Sequence, residues 1–131
     1  MAQRGHKFGE NVTLPVVLED DFETVAKTKD VVAAFEAIGL GDDLVRAHDG
    51  VHQRAGVGKL RGRRLRTPRS VLVVVADMES AGAKAARNLV GVEVTTPKDL
   101  NVERVAPGGD AGRLTVFTRK ALAALEERVS K

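Results

Sequence analysis

Seven positive charges and no negative one fall within the sixteen residues Arg54 to Arg69, which read RAGVGKLRGRRLRTPR. They are Arg54, Lys59, Arg61, Arg63, Arg64, Arg66 and Arg69. The whole chain carries 21 Lys and Arg against 18 Asp and Glu, so setting these seven aside leaves 14 bases against 18 acids. Charge of one sign and this density attracts a polyanion, and Gly56, Gly58 and Gly62 let the backbone bend close to one. Arginine dominates the cluster. Its planar guanidinium binds phosphate oxygens bidentately and stacks on bases, which scattered lysines kept for solubility would not require.

Other residues of chemical interest carry weaker signals. Lys84 and Arg87 lie three apart in SAGAKAARNL and would share one helical face, with Asn88 beside them. AGVGKL resembles a phosphate-binding loop, yet the leading glycine would fall at Gln53 and the Ser or Thr after the lysine is Leu60. A dinucleotide fingerprint beginning at Gly56 needs its third glycine at position 61, which is Arg. His48 and His52 have a helical metal-ligand spacing, but Gly50 interrupts it and no third ligand stands nearby, so exposed or phosphate-contacting histidines are expected. Glu19, Asp20, Asp21 and Glu23 precede a helical pattern, where acids favour the helix dipole without any catalytic role. No catalytic grouping emerges, and no enzyme, metal or cofactor is expected.

The elements that position these residues alternate. Apolar, β-branched runs at Leu14–Leu18, Val71–Ala76, Val92–Thr95 and Leu114–Thr118 predict strands. Helices are predicted from Thr28 to the glycines at 39 and 41, from Ala81 to Leu89 behind Ser80, and from Arg119 to Val129, with a single turn around Lys98–Val102. Strands apolar on both faces belong in a parallel sheet covered on each side. The expected fold is therefore α/β, a three-layer arrangement around about four mostly parallel strands. The basic segment 54–69 and the run PGGDAGR at 107–113 are the expected loops, each leading into a strand.

Composition agrees with one domain over residues 1–131. Absence of Cys excludes disulfides and thiolate chemistry, and no apolar run is long enough for a membrane helix, so a soluble cytoplasmic protein is expected. Without Trp or Tyr, a platform of exposed aromatic rings for single-stranded nucleic acid is not expected. A nucleic-acid partner would be a folded one, gripped by its backbone. The acids outside the basic segment, including Glu19, Asp20, Asp21, Asp42 and Asp43, offer an alternative: docking of a basic protein neighbour.

Taken in order, RGHKF, LPVVLEDDFE, KTKDVVAAFEAIG, GKLRGRR, TPRSVLVVVA, KAARNLVGVEV, DLNVERVAPGGDAGRLTVFT and ALAALEER resemble the archaeal form of the large-subunit ribosomal protein four family over nearly the whole chain. That resemblance implies a Rossmann-like domain in the cytoplasmic ribosome, bound to large-subunit ribosomal RNA (rRNA) and neighbouring ribosomal proteins, acting structurally in subunit assembly. Carried over by position, it implies RNA contacts at Lys59, Arg61, Arg63, Arg64 and Arg66, at Lys84, Arg87 and Asn88 in KxxRN, and at Gly108, Gly109 and Arg113 in PGGxxGR. Family members also have a preceding strand and a basic extension reaching the polypeptide exit tunnel. This sequence begins where the family's second half would, so tunnel lining is not carried over and an open sheet edge is expected.

Overall fold

The computed structural model describes residues 1–9 and 12–130. Its elements run β1 (Val16–Leu18), α1 (Thr28–Ile38), α2 (Gly41–Asp49), β2 (His52–Gln53), β3 (Leu65–Arg66), β4 (Leu72–Val74), α3 (Ala81–Arg87), β5 (Glu93–Thr95), α4 (Val102–Val105), β6 (Thr115–Thr118) and α5 (Arg119–Val129). The main sheet has the order β1-β6-β4-β5 and every pairing in it is parallel. Val73 sits at its centre, opposite Val116 on one side and Val94 on the other.

Residues 71–75 are wholly buried because β4 is an interior strand with helices over both faces. Val71, Val73 and Val75 point into the larger core with Val31 and Phe35 of α1 and Ala83, Ala85 and Ala86 of α3. Leu72 and Val74 face Ala121 of α5, with Leu100 and Phe117 at the margin. This is the three-layer α/β architecture expected from the apolar runs.

The strands are shorter than the apolar runs suggest, although flanking residues still bond across the sheet, as the Val75 N–H does to the Thr95 carbonyl at 2.9 Å. Two larger differences concern helices. The glycines at 39 and 41 read as one terminator, but only Gly39 (φ 87°) takes the left-handed conformation of a helix end. Gly41 instead opens α2, whose first turn carries Asp42 and Asp43. The turn expected around Lys98–Val102 falls later, as α4, because Asn101 caps Val102–Val105 by accepting from the Arg104 N–H at 3.0 Å. Helix α3 stops at Arg87, short of Leu89.

Candidate nucleic-acid interface

The basic segment is a β-hairpin, not an irregular loop. β2 and β3 pair antiparallel, His52 opposite Arg66 and Gln53 opposite Leu65, and the tip turns through a short 3₁₀ segment at Val57–Arg61. Gly56 (φ 78°) and Gly62 (φ 75°) bracket that tip in conformations open mainly to glycine. The Gly58 carbonyl accepts the N–H groups of Gly62 and Arg63, which closes the turn. All seven cations are exposed, and among the described residues only Arg69 forms an ion pair with a carboxylate.

While the tip is free, the root is clamped. Pro68 lies between Gly50 and Gly91, so tightly that a Cβ on Gly50 would come within 2.6 Å of Pro68 Cγ and one on Gly91 within 2.4 Å of the Pro68 oxygen. The Arg69 carbonyl accepts from Arg46 Nη2 at 2.8 Å, and the Arg69 guanidinium donates to Glu93 at 2.8 Å. Ser70 N–H then donates to the Gly91 carbonyl at 2.8 Å as the chain enters β4. The hairpin is thus held at the amino-terminal end of the sheet. Small ligands of open α/β sheets bind at the opposite, carboxyl end. There, Ala76, Thr96, Pro97 and Lys98 line a cleft whose Arg128 guanidinium is occupied by the carbonyls of Pro97, Lys98 and Leu100.

Two buried charges build the clamp, and nothing local in the sequence marks either role. Asp43 is not among the acids free to dock a neighbour, because it is fully buried. It accepts from Arg46 Nε at 2.8 Å, Ser70 Oγ at 2.7 Å and the Lys7 N–H at 3.0 Å, with His6 Nδ1 at 3.1 Å. Burial pushes its pKa up, but the hydrogen bonds from His6, Arg46, Ser70 and Lys7 outweigh it and hold the carboxyl well below the ordinary range. A depressed folded-state pKa stabilises the fold above the unfolded value, about 3.9, and that contribution is lost as pH falls toward the folded value. Asp43→Asn should therefore cost roughly 2–3 kcal/mol above about pH 5, with the gap from wild type closing in more acidic solution. Denaturant unfolding across a pH series measures this; a gap constant down to the acid limit would contradict it.

Arg113 is the second buried charge and corrects an expected RNA contact. Its side chain is 0% exposed, so it is not presented on the surface. Nε donates to the Ser70 carbonyl at 3.2 Å, and Nη1 donates to Glu93 at 2.7 Å and to the Arg104 carbonyl at 2.9 Å. Burial lowers its pKa from the ordinary value, opposed by Glu93. Glu93 feels burial raising its own, but Arg113, Arg69 and Arg104 hold it below the usual range. One carboxylate thus joins the hairpin root at Arg69 to Arg113, two residues ahead of β6.

The remaining expected contacts are on the surface. Lys84, Arg87 and Asn88 are exposed and line a shallow concavity with Ala26 and Thr28, while Gly82, Ala83, Ala85 and Ala86 turn the other face of α3 inward. Lys84 also reaches Glu79 at 2.8 Å, an exposed pair of little energetic weight. Gly108 (φ 80°) and Gly109 (φ 88°) are exposed, and nothing lies within 4 Å of where a Cβ would sit on either. His48 and His52 are both exposed, with no third ligand; no metal-binding group occurs among the described residues. Among the other acids, Glu23 accepts from the Ala76 N–H and Thr118 Oγ1, both at 2.9 Å, and Asp20 from the Lys120 N–H.

A profile of the ribosomal protein L4/L1 family matches residues 10–128. The chain is 54% identical over 126 residues to the large ribosomal subunit protein uL4 of Methanocaldococcus jannaschii, covering 96% of this chain and 49% of that protein. It is 50% identical over 126 residues to the protein of the same name from Natronomonas pharaonis, with 96% and 50% covered. For the Thermoplasma acidophilum protein, also uL4, the identity is 46% over 125 residues, with 95% and 48% covered. The chain spans about half the length of these curated relatives.

Proposed function

This chain belongs to the ribosomal protein L4/L1 family, in its archaeal form, and on that premise we propose that it binds and organises large-subunit rRNA as a structural part of the cytoplasmic ribosome. The observation that carries the reading is the hairpin: six exposed cations without a carboxylate partner among the described residues, and a seventh, Arg69, at a root clamped through Asp43, Arg46, Glu93 and Arg113. An electrostatic grip needs its charges in water until the polyanion arrives, and it needs them held in a fixed direction. The exposed face of α3, with Lys84, Arg87 and Asn88, and the glycine loop at Gly108 and Gly109 extend the surface offered to RNA. Phosphate contacts fix position without reading sequence, so recognition of the correct site comes from the folded shape of the RNA. The work is structural rather than catalytic, and it serves subunit assembly.

Docking of a basic neighbouring protein through acids is the weaker reading. Asp43 is buried, and Glu23 and Asp20 hold the fold together, which leaves Glu19, Asp21 and Asp42 as the exposed members of that group. Titration of the chain against large-subunit rRNA, with an unrelated structured RNA as competitor, tests the RNA reading. Binding that resists the competitor supports it; equal displacement by the competitor counts against it.

A further inference from the structure

Three glycines mark the hairpin tip, and only two of them are explained by the chain itself. Gly56 and Gly62 have positive φ, where any other residue would be strained. Gly58 does not, and no heavy atom lies within 4 Å of the position its Cβ would take. Neither backbone conformation nor internal packing calls for glycine there. What glycine gives at such a place is close approach of its backbone to something outside the chain.

Next to it stands Leu60, 80% exposed, between Lys59 and Arg61. Val57 and Leu65 on the same hairpin are 61% and 57% exposed. Large aliphatic side chains held in water among cations add nothing to phosphate binding and lower solubility. A two-stranded hairpin with arms this short is marginally stable alone, so its tip is suited to being ordered by what it binds. Encircling positive charge selects a polyanion as that partner. On folded RNA, the broad apolar surface available to a leucine is the face of an unstacked base.

We propose that the tip seats an unpaired nucleotide of the RNA, its base against the Leu60 side chain and its backbone closing on Gly58. This rests on the RNA-binding reading above and adds a point of discrimination that phosphate contacts cannot supply. The chain has no Trp or Tyr and none of its four Phe residues is exposed, so an aliphatic side chain flanked by cations takes that part.

The test compares wild type, Gly58→Ala, Leu60→Ala, Leu60→Met and the double variant Arg63→Ala/Arg64→Ala. Each is titrated over a salt series against large-subunit rRNA and against a fully paired RNA duplex without bulges or overhangs. Gly58→Ala and Leu60→Ala should each lose about tenfold in affinity for the rRNA, the order expected for one base contact. Both should bind the duplex like wild type with an unchanged salt slope, and Leu60→Met should retain rRNA affinity. Gly58→Ala should fold at least as well as wild type, because alanine restricts the unfolded chain. Wild-type rRNA affinity in both variants, or equal losses on rRNA and duplex, would overturn the proposal. If the arginine double variant alone weakens binding, the tip contact fails while the RNA reading stands; if all variants bind like wild type, both fail.

Discussion

Replacing Arg63 and Arg64 together with alanine should flatten the salt dependence of rRNA binding by roughly one to two units on a log-log plot. Each phosphate neutralised by a cation releases about one condensed counterion, so the slope counts contacts. Five to seven contacts from the hairpin would give a wild-type slope of roughly −4 to −6. Both side chains are exposed and neither has a carboxylate partner among the described residues, so the change removes charge without disturbing the fold. Unfolding free energy should stay within about 0.5 kcal/mol of wild type. The loss of affinity should be greatest in dilute salt and shrink as salt rises, since the wild-type curve falls more steeply. An unchanged slope, measured by titration at several salt concentrations, would remove these two residues from the contact surface.

Arg113→Met should behave in the opposite way, with a large cost in stability and none in the slope. The guanidinium is fully buried and supplies hydrogen bonds to the carbonyls of Ser70 and Arg104 and to Glu93. Methionine fills much of the space but leaves those buried acceptors unpaired, a loss of roughly 3–5 kcal/mol. Arg113→Lys should recover little, because one ammonium cannot span three acceptors that a planar fork reaches together. Pairing Arg113→Met with Glu93→Gln should cost less than the two changes added, since the carboxylate that loses its partner is itself neutralised. Denaturant unfolding reads the stability. Salt titration of the folded variant separates the two roles: a slope flatter by about one unit would return Arg113 to the RNA-contacting set.

The contrast between these arginines shows what sequence could convey. Arg63, Arg64 and Arg66 belong to a run without acids, and a run of one sign cannot be buried, so exposure followed from composition. Arg113 stands alone after a glycine-rich stretch, and its partner Glu93 is twenty residues earlier in another strand. Nothing local marks such a pair. Asp42 and Asp43 are adjacent and chemically alike, yet one is exposed and the other fully buried, because α2 turns only the second toward His6, Arg46 and Ser70. That helix itself went unread, since Gly41 looks like the end of α1 until its φ is known. The buried strands were legible because Val71 to Val75 is apolar on both faces and only a covered sheet accommodates that. The hairpin was not, as its arms are two residues each and its ladder is too short to impose a periodic pattern.

The most direct test of the central claim is to cross-link the chain to large-subunit rRNA and identify the cross-linked peptides by mass spectrometry. The cross-links should map first to residues 54–69, with a second group at Lys84, Arg87 and Asn88 on α3. Cross-links confined to α5 and the carboxyl end of the sheet, with none on the hairpin, would contradict it.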